Sequence, residues 1–180
     1  TVEAVLALNV SRVAQARYRV RDGADYPDAT STLRISFGPV RGYETSGGQW
    51  VPYATNFEGL FRRATGVDPF VLPKRWVDAQ DAVDPATPFN FVSTADTHGG
   101  NSVSPTVNAS GDFVGILFDG NLESLPNRFL YTEERSRSVH VSSLAIAEAL
   151  RKVYRATSLL GELGVTPPGG GMKEKAPTAR

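Results

Sequence analysis

The sequence predicts a mainly β fold of antiparallel strands with one helix at each end. Three patterns carry that expectation. Val2, Val5, Leu6, Val13 and Val20 recur at roughly helical spacing from Thr1 to about Arg21, and Gly23 stops the run. From Thr32 the period changes to strand-like alternation, with Leu33, Ile35 and Phe37 separated by polar residues. Near the other end, Leu144, Ala147, Leu150, Val153, Tyr154 and Leu160 give a helix over 143–163 one apolar face, which packs on the sheet rather than on a membrane.

Between those helices the elements follow in order. Val40 to Glu44 reads as a strand, Ser46-Gly47-Gly48 as a turn, and Gln49 to Tyr53 as the returning strand. Phe57 to Ala64 reads as a short helix with Asn56 as its cap, because an asparagine side chain can accept from the otherwise orphaned first-turn amides. The segment 67–88 contains four prolines and reads as a long irregular connection. Thr106-Val107, the turn Asn108-Ala109-Ser110-Gly111 and the run Phe113 to Phe118 form a hairpin. A loop through Leu125-Pro126-Asn127 leads to a strand around Val139, whose alternation makes His140 a strand-surface histidine. Trp50 and Trp76 are expected in the core. Residues 166–180, rich in Pro, Gly and Lys, read as a disordered tail. The organisation is therefore a helix over 1–24, a β lobe with its C-terminal helix over 25–165, and a tail over 166–180.

Composition narrows the function. Hydrophobic residues make up 41% and charged residues 21%, enough apolar surface for one core. Lys plus Arg equals Asp plus Glu at 19 each, so no net field recommends nucleic acid or an anionic membrane as partner. With no cysteine and two distant histidines, neither a disulfide framework nor a metal site is expected, and no cofactor is implied. The two Asn-x-Ser sites, at Asn9 and Asn108, are too short a signal to assign.

Chemistry concentrates in Thr97-His98-Gly99-Gly100-Asn101-Ser102-Val103-Ser104-Pro105. A serine in a glycine-rich turn, closed by proline and followed by a hairpin, is how trypsin-like peptidases present a nucleophile. The glycines let the backbone fold tightly enough for the Gly100 and Ser102 amides to point at one spot, where they can hold the oxyanion of a tetrahedral intermediate. Ser102 is then the attacking group.

The flanks carry the resemblance further. Asn90 to Asp96 leads into the turn, Thr106 to Asn121 leads out, and upstream Tyr26 to Ile35 and Gly38 to Tyr43 conform as well. Together these resemble the C-terminal catalytic lobe of the bacterial dipeptidyl peptidase 7 and 11 family, serine exopeptidases of the chymotrypsin clan, over about residues 10 to 165. The resemblance implies an antiparallel trypsin-like β-barrel, the second of two lobes. It implies peptide substrates, a periplasmic location and a homodimer. It also places Phe118, Asp119, Gly120 and Asn121 at the edge of the substrate pocket, with Asp119 pairing with the substrate's free ammonium. Arginine at the position of Gly120 accompanies acidic residues before the scissile bond in this family, whereas glycine leaves room for apolar ones. Asp96, six residues before Ser102, is the rival pocket carboxylate, of the kind that selects Lys or Arg.

Two residues depart from the family's turn. His98 stands where threonine is usual, and Val103 replaces the glycine that follows the nucleophile. A β-branched side chain is costly wherever backbone of glycine-like conformation is needed. The histidine base and its aspartate belong to the clan's first lobe, and nothing in this sequence resembles that lobe. His98, four residues from Ser102 in the same turn, cannot take the base's place by adjacency alone, since a triad needs a base bonded to the nucleophile and oriented by a third group. The chain therefore reads as a fragment, a processed piece or a shortened relative. Two functions stay open: the serine-bearing lobe of a dipeptidyl peptidase, inactive without a partner lobe carrying His and Asp, or a degenerate lobe that binds peptides or a partner without cleaving them.

Overall fold

The computed structural model describes residues 2–20, 33–128 and 131–165. The expected boundary at residue 24, the segment from Tyr26 to Thr32 and the tail over 166–180 lie outside the described residues. The chain divides into two compact units, residues 1–35 and 36–180. In the first, α1 spans Val2–Val20 as its spacing predicts, with Glu3 in its first turn and Arg17 and Arg19 in its last, each charge complementing the helix dipole.

The second unit is built on antiparallel sheet with helices packed against it, as the alternation predicts. β1 (Tyr43–Glu44) pairs with β2 (Trp50–Val51) around the Ser46-Gly47-Gly48 turn. A five-stranded sheet takes the order β3-β4-β7-β6-β5, with β3 Ala54–Asn56, β4 Pro88–Ser93, β5 Pro105–Val107, β6 Phe113–Gly120 and β7 Ser138–Ser142. The β5–β6 turn is closed by Asn108, whose Oδ1 accepts from the Ser110 and Asp112 amides, both at 2.9 Å. Leu33, Ile35 and Phe37 join no ladder and are exposed, so the expected strand there reduces to a single bridge from Val40 to Ser93.

α2 (Phe57–Arg63) begins where predicted, with Asn56 Oδ1 accepting from Gly59 N at 2.9 Å. Its first residue, Phe57, is fully buried and packs edge-on against Phe89 at 5.1 Å between ring centroids. Around it gather Trp76, Ala79, Val83, Ala145, Ala149 and Val153. The segment 67–88 is thus not irregular throughout: α3 (Lys74–Asp78) and a 3₁₀ turn at Gln80–Ala82 place Trp76 and Ala79 in that cluster. Pro73 stands immediately before α3, where its missing amide hydrogen costs nothing. Trp50, expected inside, is 64% exposed.

The predicted helix over 143–163 is broken. α4 (Ser143–Glu148) is capped by Ser142 Oγ, widens into a π turn at Ala149–Val153, and stops at Arg155, whose φ of 53° lies in the left-handed region. α5 (Thr157–Glu162) follows as a separate piece. The buried face is Ala145, Ala149, Val153 and Leu160, whereas Leu144, assigned to the apolar face, is exposed.

The inward face of β7 is polar. Ser138, His140 and Ser142 are all buried, while Val139 and Val141 are only half-buried. His140 is therefore no surface histidine. Its ring stacks on Phe91 at 4.7 Å, its Nε2 bonds Ser93 Oγ and its Nδ1 bonds Thr106 Oγ1, each at 2.8 Å. Ser93 lies on β4 and Thr106 on β5, two strands beyond β7 on its other side, so the sheet curls inward for both hydroxyls to reach one ring. Gly115 on β6 makes room, because a Cβ there would lie 2.8 Å from the Phe91 ring and 2.4 Å from the Val141 carbonyl oxygen.

Burial pushes the His140 imidazole down to about 4 from its ordinary 6.5, since hydroxyl partners do not offset the loss of water around a cation. Between those pH values the unfolded chain binds the extra proton and the folded one does not. Stability from this site is thus complete above about pH 6.5 and is lost as pH falls toward 4, by roughly 3 kcal/mol in all. Urea unfolding across that range should show a slope that His140→Gln removes; parallel curves for the two proteins would refute the assignment.

Candidate active site

The loop carrying Ser102 leaves β4 after Ser93 and enters β5 at Pro105, and its approach is fixed by hydroxyls. Ser138 Oγ, fully buried, donates to the Ala95 carbonyl at 2.6 Å and shares a 2.5 Å bond with Thr97 Oγ1. The Tyr131 hydroxyl donates to the Thr94 carbonyl, and Ser36 Oγ to that of Asp96 at 2.5 Å. Asn101 then closes the turn on itself: its Oδ1 accepts from His98 N at 3.1 Å and its amide donates to the His98 carbonyl at 3.2 Å. Past the serine, Val103 N donates to Leu117 O at 2.8 Å and Leu117 N to Ser104 O at 3.0 Å, which ties the turn to β6.

Gly100 has φ 102° and Val103 φ 70°, so the backbone turns left-handed on both sides of Ser102. For Val103 this is the strained conformation its place in the sequence predicts, and its side chain points to solvent at 76% exposure. The Gly100 and Ser102 amides have no internal acceptor among the described residues.

A cavity of about 260 Å³ opens at this turn. It is lined by Ser102, His98, Phe118, Asp119, Gly120 and Ser124, among others, so Ser102 and Asp119, 17 positions apart in sequence, meet at one site. Gly100 stands beside it in the turn. β6 delivers its share through a bulge: Leu117 pairs with His140 and Asp119 with Val139, leaving Phe118 as the extra residue, half turned to solvent. Asp119 is exposed; its Oδ1 accepts from Gly120 N at 2.8 Å, and its Oδ2 has no partner among the described residues. Asn121 does not line the cavity. Its side chain holds the start of β7, with Oδ1 accepting from Arg137 N at 2.8 Å and Nδ2 donating to Arg135 O at 2.7 Å. Asp96 does not line the cavity either. His98 does, with Nδ1 at 3.1 Å from the Gly99 carbonyl. His140, its two nitrogens occupied inside the sheet, is not available as a base.

The comparison with known proteins decides the ancestry. The sequence model of the Peptidase S46 family matches residues 1–165. This chain belongs to the peptidase S46 family. Among S46 relatives, an Asp/Glu-specific dipeptidyl-peptidase of Shewanella putrefaciens is 31% identical over 81% of this chain and 24% of its own length. The dipeptidyl-peptidase 7 of Phocaeicola vulgatus is 29% identical over 77% of this chain and 20% of its own. The crystal structure of Porphyromonas endodontalis DPP11 in complex with the dipeptide Arg-Asp superposes with a TM-score of 0.71 at 25% identity, covering 78% of this chain and 22% of that one. The S46 chain thus spans about a fifth to a quarter of the length of the relatives it matches.

Sequence reasoning missed Ser138, Ser124 and Arg137, none of which belongs to a recognisable motif. The guanidinium of Arg137 is buried and donates to four carbonyls, those of Arg41, Gly42, Glu133 and Ser136, at 2.7 to 2.9 Å. Burial, and then the nearby Arg41 charge, lowers its pKa from the ordinary arginine value. The turn itself yields a test. Because the backbone at Val103 is already left-handed, Val103→Gly should relieve strain and raise the unfolding free energy by about 1 kcal/mol. A lower stability in denaturant titration would show that the valine side chain contributes more than its backbone costs.

Proposed function

We propose that this chain is the nucleophile-bearing lobe of a serine dipeptidyl peptidase. The observation that carries the reading is the single cavity that joins Ser102 to Phe118, Asp119 and Gly120. Ser102 Oγ attacks the scissile carbonyl carbon while the Gly100 and Ser102 amides hold the developing oxyanion. The proton leaves Ser102 to a histidine base on a first lobe, where an aspartate orients it, and the same histidine returns it to the leaving amine. Asp119 pairs through its Oδ2 with the substrate's ammonium, so that cleavage falls two residues from the free end. Gly120 and Phe118 favour an apolar residue before the scissile bond. The periplasm and a homodimeric assembly complete the proposal.

The second reading is a peptide-binding lobe without turnover. It is favoured by the histidines: His140 is enclosed in the sheet, and His98 is an exposed turn residue whose Nδ1 faces its own neighbour's carbonyl. Turnover separates the two readings. The chain alone should hydrolyse no dipeptidyl-chromophore substrate above background, whereas the chain joined to a first lobe should do so in a manner abolished by Ser102→Ala. Absence of turnover from the joined protein would leave the binding reading.

The amine anchor is tested separately in the joined protein. Asp119→Asn keeps the shape of the side chain and removes its charge. It should lower the ratio of kcat/KM for a free-amine substrate over its N-acetylated twin by at least tenfold, about 2 kcal/mol. An unmoved ratio would place the ammonium elsewhere.

A further inference from the structure

Gly120 ends β6, and the chain turns there through Asn121 into a 3₁₀ segment at Leu122–Arg128. A Cβ built on Gly120 would lie 2.3 Å from Ser124 Oγ and 3.3 Å from Ser124 Cβ. The serine hydroxyl therefore fills the space into which any side chain at position 120 would grow. It is also held in place. Ser124 Oγ donates to the Asn121 carbonyl at 2.7 Å and Ser124 N to the same oxygen at 3.0 Å, while Asn121 itself is fastened to Arg135 and Arg137. A rotation of the hydroxyl out of the way gives up that bond, so the contact is stiff where a longer side chain would yield. Ser124 lines the same cavity as Ser102 and Asp119.

We infer that Ser124 is a specificity-determining residue whose hydroxyl sets the depth of the pocket beside Gly120, and with it the largest substrate side chain that the cavity accepts. The absence of a side chain at position 120 does not by itself make the pocket deep, because Ser124 occupies the vacated volume. This rests on the reading of the cavity as a peptide site. Removing one oxygen from a closely fitted wall changes discrimination between side chains about as much as one methylene does, on the order of tenfold.

Calorimetric binding of product dipeptides to the Ser102→Ala protein reads this without turnover, using Ala-Leu and Ala-Phe as probes. Ser124→Ala should move the affinity ratio toward Ala-Phe by about tenfold, while Ser124→Thr should move it toward Ala-Leu. A thermal-unfolding cycle reads the contact directly: Gly120→Ala should destabilise the protein alone and be largely rescued when combined with Ser124→Ala. Binding of both dipeptides with a ratio indifferent to Ser124, or strictly additive unfolding effects, would overturn the role of Ser124 and leave the peptide site standing. If neither dipeptide binds any of these proteins, the peptide site itself fails, and the proposal with it.

Discussion

Two hydroxyls from strands that are not neighbours meet on one imidazole, and the shape of the lobe depends on that meeting. Ser93 is the last residue of β4 and Thr106 the second of β5, so His140 holds both ends of the loop on which Ser102 rides. A flat sheet keeps strands two apart at nearly 10 Å, too far for side chains standing perpendicular to it to share a partner. Curling is possible because Gly115 offers no Cβ on the intervening strand, and it is held because each buried nitrogen then has a hydrogen-bond partner. The loop thus inherits its geometry from the inside of the sheet rather than from its own few residues.

The parts of this architecture that sequence discloses are those governed by neighbours along the chain. Asn56 caps α2, and Asn108 closes its hairpin, because an Asx side chain reaches amides two or three positions away. The turn that carries Ser102 and its strained Val103 are local in the same sense. What remained hidden was settled by distant partners. Along Ser138 to Ser142 alternation would bury the valines, yet the serines and the histidine are inside, since their partners come from β4, β5 and the loop between them. The prolines of 67–88 advertise breaks but not that Trp76 docks on Phe57, and the uniform apolar spacing of 143–163 gives no sign of the break at Arg155.

The site shows the same division. Ser102 and Gly100 belong to one turn and are recognisable as a unit, whereas Phe118, Asp119 and Gly120 join them only because Val103 and Ser104 are laced to Leu117. Asn121 illustrates how a residue next to a pocket can serve it indirectly. Its amide is committed to the backbone that begins β7, and through that commitment it fixes the wall on which Ser124 stands.

Arg137 makes the lobe indivisible in a way its strand order does not reveal. A guanidinium enclosed by carbonyl dipoles, with no carboxylate among its hydrogen-bond acceptors in the described residues, is tolerable only while every acceptor is present. Two of those acceptors, on Arg41 and Gly42, lie some 95 residues upstream and belong to no long strand. A minimal lobe cut just before β3, which would retain the whole five-stranded sheet, would therefore strand a cation in its interior. The usable boundary for expressing or grafting this lobe lies ahead of Arg41, set by one buried charge rather than by the edge of the sheet.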